Sequence, residues 1–136
     1  MHGGDVVGFR TIPVVLEVRR GDAGRNGVEQ RGAERGAHLL HTAKLAELAA
    51  GPELIAALRE QRPLPDIRLE TVRTFTLAVL DHAGAVPADS VQAFLDQGFT
   101  RQNALEVVLG IGAYTLSTLA NRLTDAPIDP QLAPYA

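Results

Sequence analysis

Apolar residues recur at helical spacing through most of the chain after residue 36. In 37–50, histidines and leucines repeat every three or four positions with alanines between them, which predicts a first helix ended by Gly51. Four further helices are predicted downstream: from Pro52 to Arg59, from Asp66 to about His82, from Pro87 to about Gln97, and from Arg101 to Leu123. We therefore expect an all-α domain of about five helices.

Capping residues support these bounds. Pro52 suits the first turn of a helix because its φ angle is already helical. Asp66 and Thr100 carry side-chain oxygens that can accept hydrogen bonds from the first free amides. Gly84 and Gly98 follow the apolar runs and are expected to end them.

The last predicted helix is apolar almost all round, so we expect it to be buried centrally or to lie in a subunit interface. Glu106 within it needs a partner, such as an arginine of another helix, or an exposed position. Gly110 and Gly112 indicate close packing by another helix, and Tyr114 is expected in the core or in an interface.

Residues 1–36 lack the regular apolar pattern of the residues that follow, and they are predicted to form a poorly ordered N-terminal arm. Arg and Gly make up ten of the eighteen residues of 19–36, and this leaves little apolar surface to offset the entropy of folding. A basic strip for an anionic partner is an alternative interpretation. The segment 14–18, which precedes the Arg/Gly-rich residues, is compatible with a short strand or one helical turn.

Composition excludes several classes of function. The net charge of −3 gives no basic excess for nucleic acid, and no apolar run is expected to cross a bilayer. The N-terminus lacks the pattern of a secretion signal, so a cytoplasmic protein is expected. The chain has no cysteine, which excludes disulfides and thiol chemistry in it.

Several segments, in order, resemble the carboxymuconolactone decarboxylase / alkylhydroperoxidase-D-like superfamily. The segment 41–46 is His-Thr-Ala-Lys-Leu-Ala, 62–66 contains Leu-Pro-Asp, and 73–76 is Arg-Thr-Phe-Thr. Phe-Leu-Asp-Gln-Gly-Phe-Thr follows at 94–100, then Leu-Glu-Val-Val-Leu-Gly at 105–110, Thr-Leu-Ser at 115–117, Asn121, and Pro-Ile-Asp-Pro at 127–130. The resemblance implies a helical bundle that assembles as a homo-oligomer: a dimer, trimer or hexamer.

The redox motif of that family is missing. Its peroxidase members carry Cys-x-x-Cys-x-x-x-His, and with the histidine at His41 the two cysteine positions fall on Glu34 and Ala37. In the family, one thiolate attacks the peroxide and the second resolves the sulfenic acid to a disulfide. We therefore expect a peroxidase-related protein without thiol peroxidase activity.

His41 and Glu34 are the candidate catalytic residues. The family also contains cysteine-free members that act on lactones, and a histidine seven residues from a carboxylate shares its helical face and can act with it as acid and base. A structural histidine is the alternative. His38 and His41 are spaced for a metal but lack a third ligand, so no metal or cofactor is expected.

Three hypotheses for the function follow: a peroxidase relative, a cysteine-free lactone decarboxylase-like enzyme acting on a small molecule, or a non-catalytic module that forms oligomers.

The family-like sequence begins abruptly after the Arg/Gly-rich segment. One explanation is that the N-terminal third is translated from a wrong frame of a GC-rich gene. Translating the other frames tests that idea.

Overall fold

Four α-helices make up most of the part of the chain that the computed structural model describes, which is residues 52–127 and 130–131. No strand occurs within these residues, so the all-α prediction is confirmed for them. The predicted helix 37–50 and the predicted N-terminal arm 1–36 lie outside them. The helices are α1 Pro52–Arg59, α2 Ile67–Asp81, α3 Ala88–Asp96 and α4 Arg101–Thr124.

The helix starts follow the predicted caps. Asp66 Oδ1 accepts hydrogen bonds from the amides of Arg68 and Leu69 at 2.9 and 3.2 Å, and so begins α2. Thr100 and Asn103 form a reciprocal capping box at the start of α4. The threonine hydroxyl accepts from the Asn103 amide at 3.1 Å, and Asn103 Oδ1 accepts from the Thr100 amide at 3.0 Å.

Three helices end on a residue that is not glycine yet has a positive φ angle: Gln61, Ala83 and Asp125. After α2, the amide of Gly84 donates to the Val79 carbonyl at 2.9 Å and the amide of Ala83 donates to the Leu80 carbonyl. This is a Schellman motif, with Ala83 in the left-handed position. Gly98, with a φ of 86°, ends α3 as expected.

The core lies where α2 packs against α3 and α4. Val72, Phe75, Thr76 and Val79 are the buried face of α2, and the Thr76 hydroxyl donates to the Val72 carbonyl at 2.7 Å, so it is satisfied inside its own helix. The remaining buried apolar side chains come from α1, the loops and the other two helices: Ala57, Leu58, Leu64, Phe94, Phe99, Val107 and Tyr114.

A column of three aromatic rings joins these elements. The rings of Phe75 and Phe94 stack at 4.2 Å between centroids, and those of Phe94 and Phe99 stack at 4.5 Å. Phe94 is 1% exposed, so it is the ring most completely removed from water. The column places the start of α4 beside the middle of α2.

The long helix α4 is buried along one face only. Val107, Gly110 and Tyr114 form that inner face, at helical spacing. Its large apolar residues on the opposite side are exposed, from 49% at Val108 to 89% at Leu123. Within residues 52–127, therefore, α4 is not buried centrally, because only one of its two apolar faces meets the core; its place in a subunit interface, the other expectation, stays a prediction.

Candidate functional site

The predicted catalytic residues His41 and Glu34, together with His38, lie outside the described residues, and their roles stay predictions. Within the described part of the chain, no group of three or more histidine, aspartate and glutamate residues is arranged to hold a metal ion. His82 follows α2 as its C-cap. Its ring Nδ1 lies 2.9 Å from the Ala78 carbonyl oxygen, on the surface.

Among the ion pairs of residues 52–127, that of Glu70 and Arg73, one turn apart on α2, is the least exposed to solvent. Arg73 Nη2 donates to Glu70 Oε1 at 2.7 Å and Arg73 Nε donates to Oε2 at 2.8 Å. Oε2 also accepts the amide of Leu64 at 2.8 Å. Sequence reasoning did not single out this pair, although the i, i+3 spacing of opposite charges was visible.

The electrostatics of this pair argue against acid–base catalysis. The hydrogen bonds from Arg73 are the main reason that the pKa of Glu70 lies below its ordinary value, and the Leu64 amide acts in the same direction against burial. The hydrogen bond to Glu70 in turn raises the pKa of Arg73. Both groups stay charged near neutral pH and hold the loop before α2 against that helix.

A second contact links the start of α2 to the turn between α3 and α4. The Arg68 guanidinium carbon lies 4.5 Å from the centre of the Phe99 ring, and Arg68 Nη1 donates to the Gln97 carbonyl at 3.2 Å. A Cβ atom on Gly98 would lie 3.5 Å from the same Nη1 atom. The arginine thus packs over the turn between α3 and α4.

Glu106 is held by amides of its own helix. Asn103 Nδ2 donates to one carboxylate oxygen at 3.1 Å and Gln102 Nε2 donates to the other at 3.4 Å. No ion pair with an arginine of residues 52–127 accompanies these bonds. The expected arginine partner from another helix is thus not found in this part of the chain.

A row of exposed apolar positions runs along α4, and we call it the outer stripe. Its five leucines are between 58% and 89% exposed, and Gly112 between them is exposed too. The expected close packing at Gly112 is not found among residues 52–127, because a Cβ atom there would meet nothing within 4 Å in that part of the chain. The members of the outer stripe are Leu105, Leu109, Gly112, Leu116, Leu119 and Leu123.

By length and composition alone, α4 is long and apolar enough to cross a membrane. No other helix of the described residues meets that criterion. This finding leaves the expectation that no apolar run crosses a bilayer as a prediction. The criterion is a weak indicator of a membrane span, because core helices of soluble proteins also satisfy it. In this protein the inner face of α4 packs on the helical core through Val107, Gly110 and Tyr114.

Comparison with known proteins adds no family assignment. No protein-family model matches the chain, and a search of curated proteins finds no significant match.

Proposed function

We propose that this chain is a carboxymuconolactone decarboxylase-like helical protein that keeps the architecture of its relatives and works without thiol peroxidase chemistry, as a cytoplasmic homo-oligomer. The observation that carries the proposal is where the family-like segments lie in the fold. Asp66 caps α2, Thr100 caps α4, and Phe75, Phe94 and Phe99 form the aromatic column. Each of these residues belongs to a segment that resembles the family.

What is retained is therefore a set of capping and packing residues, and what is missing is the reactive sulfur. Peroxide reduction by this family needs a thiolate to attack the O–O bond and a second thiol to form the disulfide. Glu34 and Ala37 occupy those positions here, and a carboxylate is no substitute for the thiolate. Two roles need no sulfur chemistry: an oligomer-forming helical module, which we favour, and a cysteine-free lactone decarboxylase-like enzyme.

A peroxidase assay of the purified full chain tests the chemical part of this proposal. With an organic hydroperoxide and dithiothreitol as the electron donor, we expect turnover no faster than in buffer. The informative variant restores both sulfurs, as Glu34→Cys combined with Ala37→Cys. Gain of dithiol-dependent turnover by that variant would support the family register, since the new cysteines then precede His41 at the spacing of the family.

Two results count against the proposal. Hydroperoxide turnover by the unaltered, cysteine-free chain would overturn the claim that sulfur is required. A restored double variant that folds with the same helix content yet stays inactive would contradict the proposed kinship. Circular dichroism of both proteins separates that second outcome from simple misfolding. A chain without activity that is also monomeric would overturn the proposed oligomer.

A further inference from the structure

We propose that the outer stripe of α4 is the surface through which two copies of this chain pair, with the two α4 helices antiparallel. This inference rests on the oligomer of the proposed function and specifies its interface. The stripe positions are separated by four, three, four, three and four residues. That alternation is the heptad spacing of a helix that packs along its length against another helix.

The stripe is a second apolar face, distinct from the one that the core uses. At 100° per residue, Leu105, Leu116 and Leu123 fall within about 20° of one another around α4. Gly110 and Tyr114 of the buried inner face lie on the far side of the helix. A helix docked on the outer stripe is therefore directed away from the core of its own subunit, and pairing needs no rearrangement of the buried residues.

Residue sizes along the stripe favour the antiparallel arrangement. In that arrangement, with the crossing at the level of residue 114, Leu105 faces Leu123 of the second copy and Leu109 faces Leu119 of the second copy. Gly112 then faces Leu116 of the second copy, so a leucine fills the space left by the glycine. In a parallel pair the two Gly112 residues would face each other and leave a gap in the middle of the interface, which is unfavourable.

The positions beside the stripe permit close approach. Ala113 and Ala120 flank it on one edge and are exposed, and Val108, Thr115 and Arg122 flank it on the other. The antiparallel arrangement places Glu106 opposite Ala120 of the second copy, so no like charges meet there. Small residues at the flanks let two helices approach more closely than long side chains do.

The exposed area is adequate for a specific pair. With five leucines each more than half exposed, the stripe presents on the order of 600 Å² of leucine surface per copy, against about 800 Å² per partner in stable interfaces. Hiding this surface from water supplies the driving force for association. An exposed apolar row of this length is otherwise rare on a monomeric protein.

The first test measures mass with the full chain. Light scattering behind a sizing column should give twice the 14.5 kDa chain mass, or a larger even multiple. Leu116→Glu should halve the mass, because it places a carboxylate in the stripe opposite Gly112 of the second copy. Ser117→Glu is the matched control, since Ser117 is exposed and adjacent but lies off the stripe; it should leave the mass unchanged.

The second test determines whether the two α4 helices run parallel or antiparallel. Because the chain has no cysteine of its own, any disulfide must come from the introduced residues. Leu109→Cys and Leu119→Cys are made as separate variants. An antiparallel pair predicts a disulfide-linked dimer only when the two variants are co-expressed, because residue 109 then faces residue 119 of the second copy. A parallel pair predicts that each variant cross-links alone, and that result would overturn the antiparallel arrangement.

Other occupants of the stripe give different results. A monomeric chain overturns both this inference and the proposed oligomer. An oligomer whose mass resists Leu116→Glu overturns the interface while the oligomer stands. Co-sedimentation of the unaltered chain with phosphatidylcholine–phosphatidylglycerol vesicles, abolished by Leu116→Glu, would assign the stripe to a lipid surface and overturn the pairing.

Discussion

Glu70 and Arg73 form a two-bond ion pair across one turn of α2, with Nη2 to Oε1 at 2.7 Å and Nε to Oε2 at 2.8 Å. The arginine side chain is 13% exposed and the glutamate side chain 21%. The same carboxylate accepts the amide of Leu64. One carboxylate therefore satisfies a cation and a loop amide, and it ties the buried Leu64 to α2.

Glu70→Gln should lower the free energy of unfolding by about 1–2 kcal/mol, since the charge-assisted bonds to Arg73 are lost and the enclosed guanidinium keeps its desolvation cost. Urea unfolding at neutral pH measures the loss. Glu60→Gln is the matched control. Glu60 pairs with Arg62 at 2.6 Å on the open surface, so its replacement should cost no more than about 0.5 kcal/mol. Equal losses at the two sites would contradict the importance of the enclosed pair.

The stabilisation by Glu70 should depend on pH. The hydrogen bonds from Arg73 lower the pKa of Glu70 from its ordinary value. A group with a depressed folded-state pKa stabilises the fold fully above its unfolded-state pKa, and that contribution disappears as the pH falls through the folded-state pKa. The difference in unfolding free energy between the unaltered chain and Glu70→Gln should thus be constant from about pH 7 to pH 5.5 and shrink below about pH 4. A difference that grows on acidification would have the wrong sign.

Ala83→Gly should stabilise the protein by about 0.5–1 kcal/mol. Ala83 has a φ of 49° at the end of α2, where a residue with a Cβ atom is strained and glycine is not. The gain is partly offset by the greater freedom of glycine in the unfolded chain. Ala85→Gly is the control: Ala85 is exposed two residues later without a positive φ, so thermal unfolding should show no gain there.

Phe94→Leu should lower the free energy of unfolding by about 1–2 kcal/mol, because it removes the middle ring of the aromatic column and leaves part of its volume empty. Chemical denaturation measures this cost. Ala93→Leu places the same residue one position earlier on the exposed side of α3 and should change stability by less than about 0.5 kcal/mol. If Phe94→Leu left the free energy of unfolding unchanged, the aromatic column would not be the centre of the core.

Local signals in the sequence were sufficient for the bounds of the four described helices. The predictions that Asp66 and Thr100 begin helices and that Pro52 lies in a first turn are confirmed. These features depend on hydrogen bonds between residues no more than about four positions apart, so nearby residue types determine them. The left-handed Ala83 was not predicted, because alanine carries no turn signal of its own.

Catalytic residues and side-chain partners were harder to predict from the sequence than the helix bounds. His41 and Glu34 were chosen from a resemblance and remain predictions, since their spacing alone does not place them beside a substrate. Glu106 was expected to pair with an arginine, but its carboxylate bonds Asn103 and Gln102 of its own helix. Partner choice for a side chain depends on which neighbours are within reach, and the fold sets that distance.

The absence of cysteine from the chain was enough to exclude thiol chemistry, and the residue pattern of α4 was enough to predict a long apolar helix, because both follow from which side chains are present. The pattern of α4 did not reveal which apolar face meets the core. Val107 and Tyr114 are buried and Leu109 and Leu116 are exposed only because α4 lies with that side against α2. Leucine and valine have the same preference for leaving water on every face of a helix, so contacts between residues distant along the chain select the buried face.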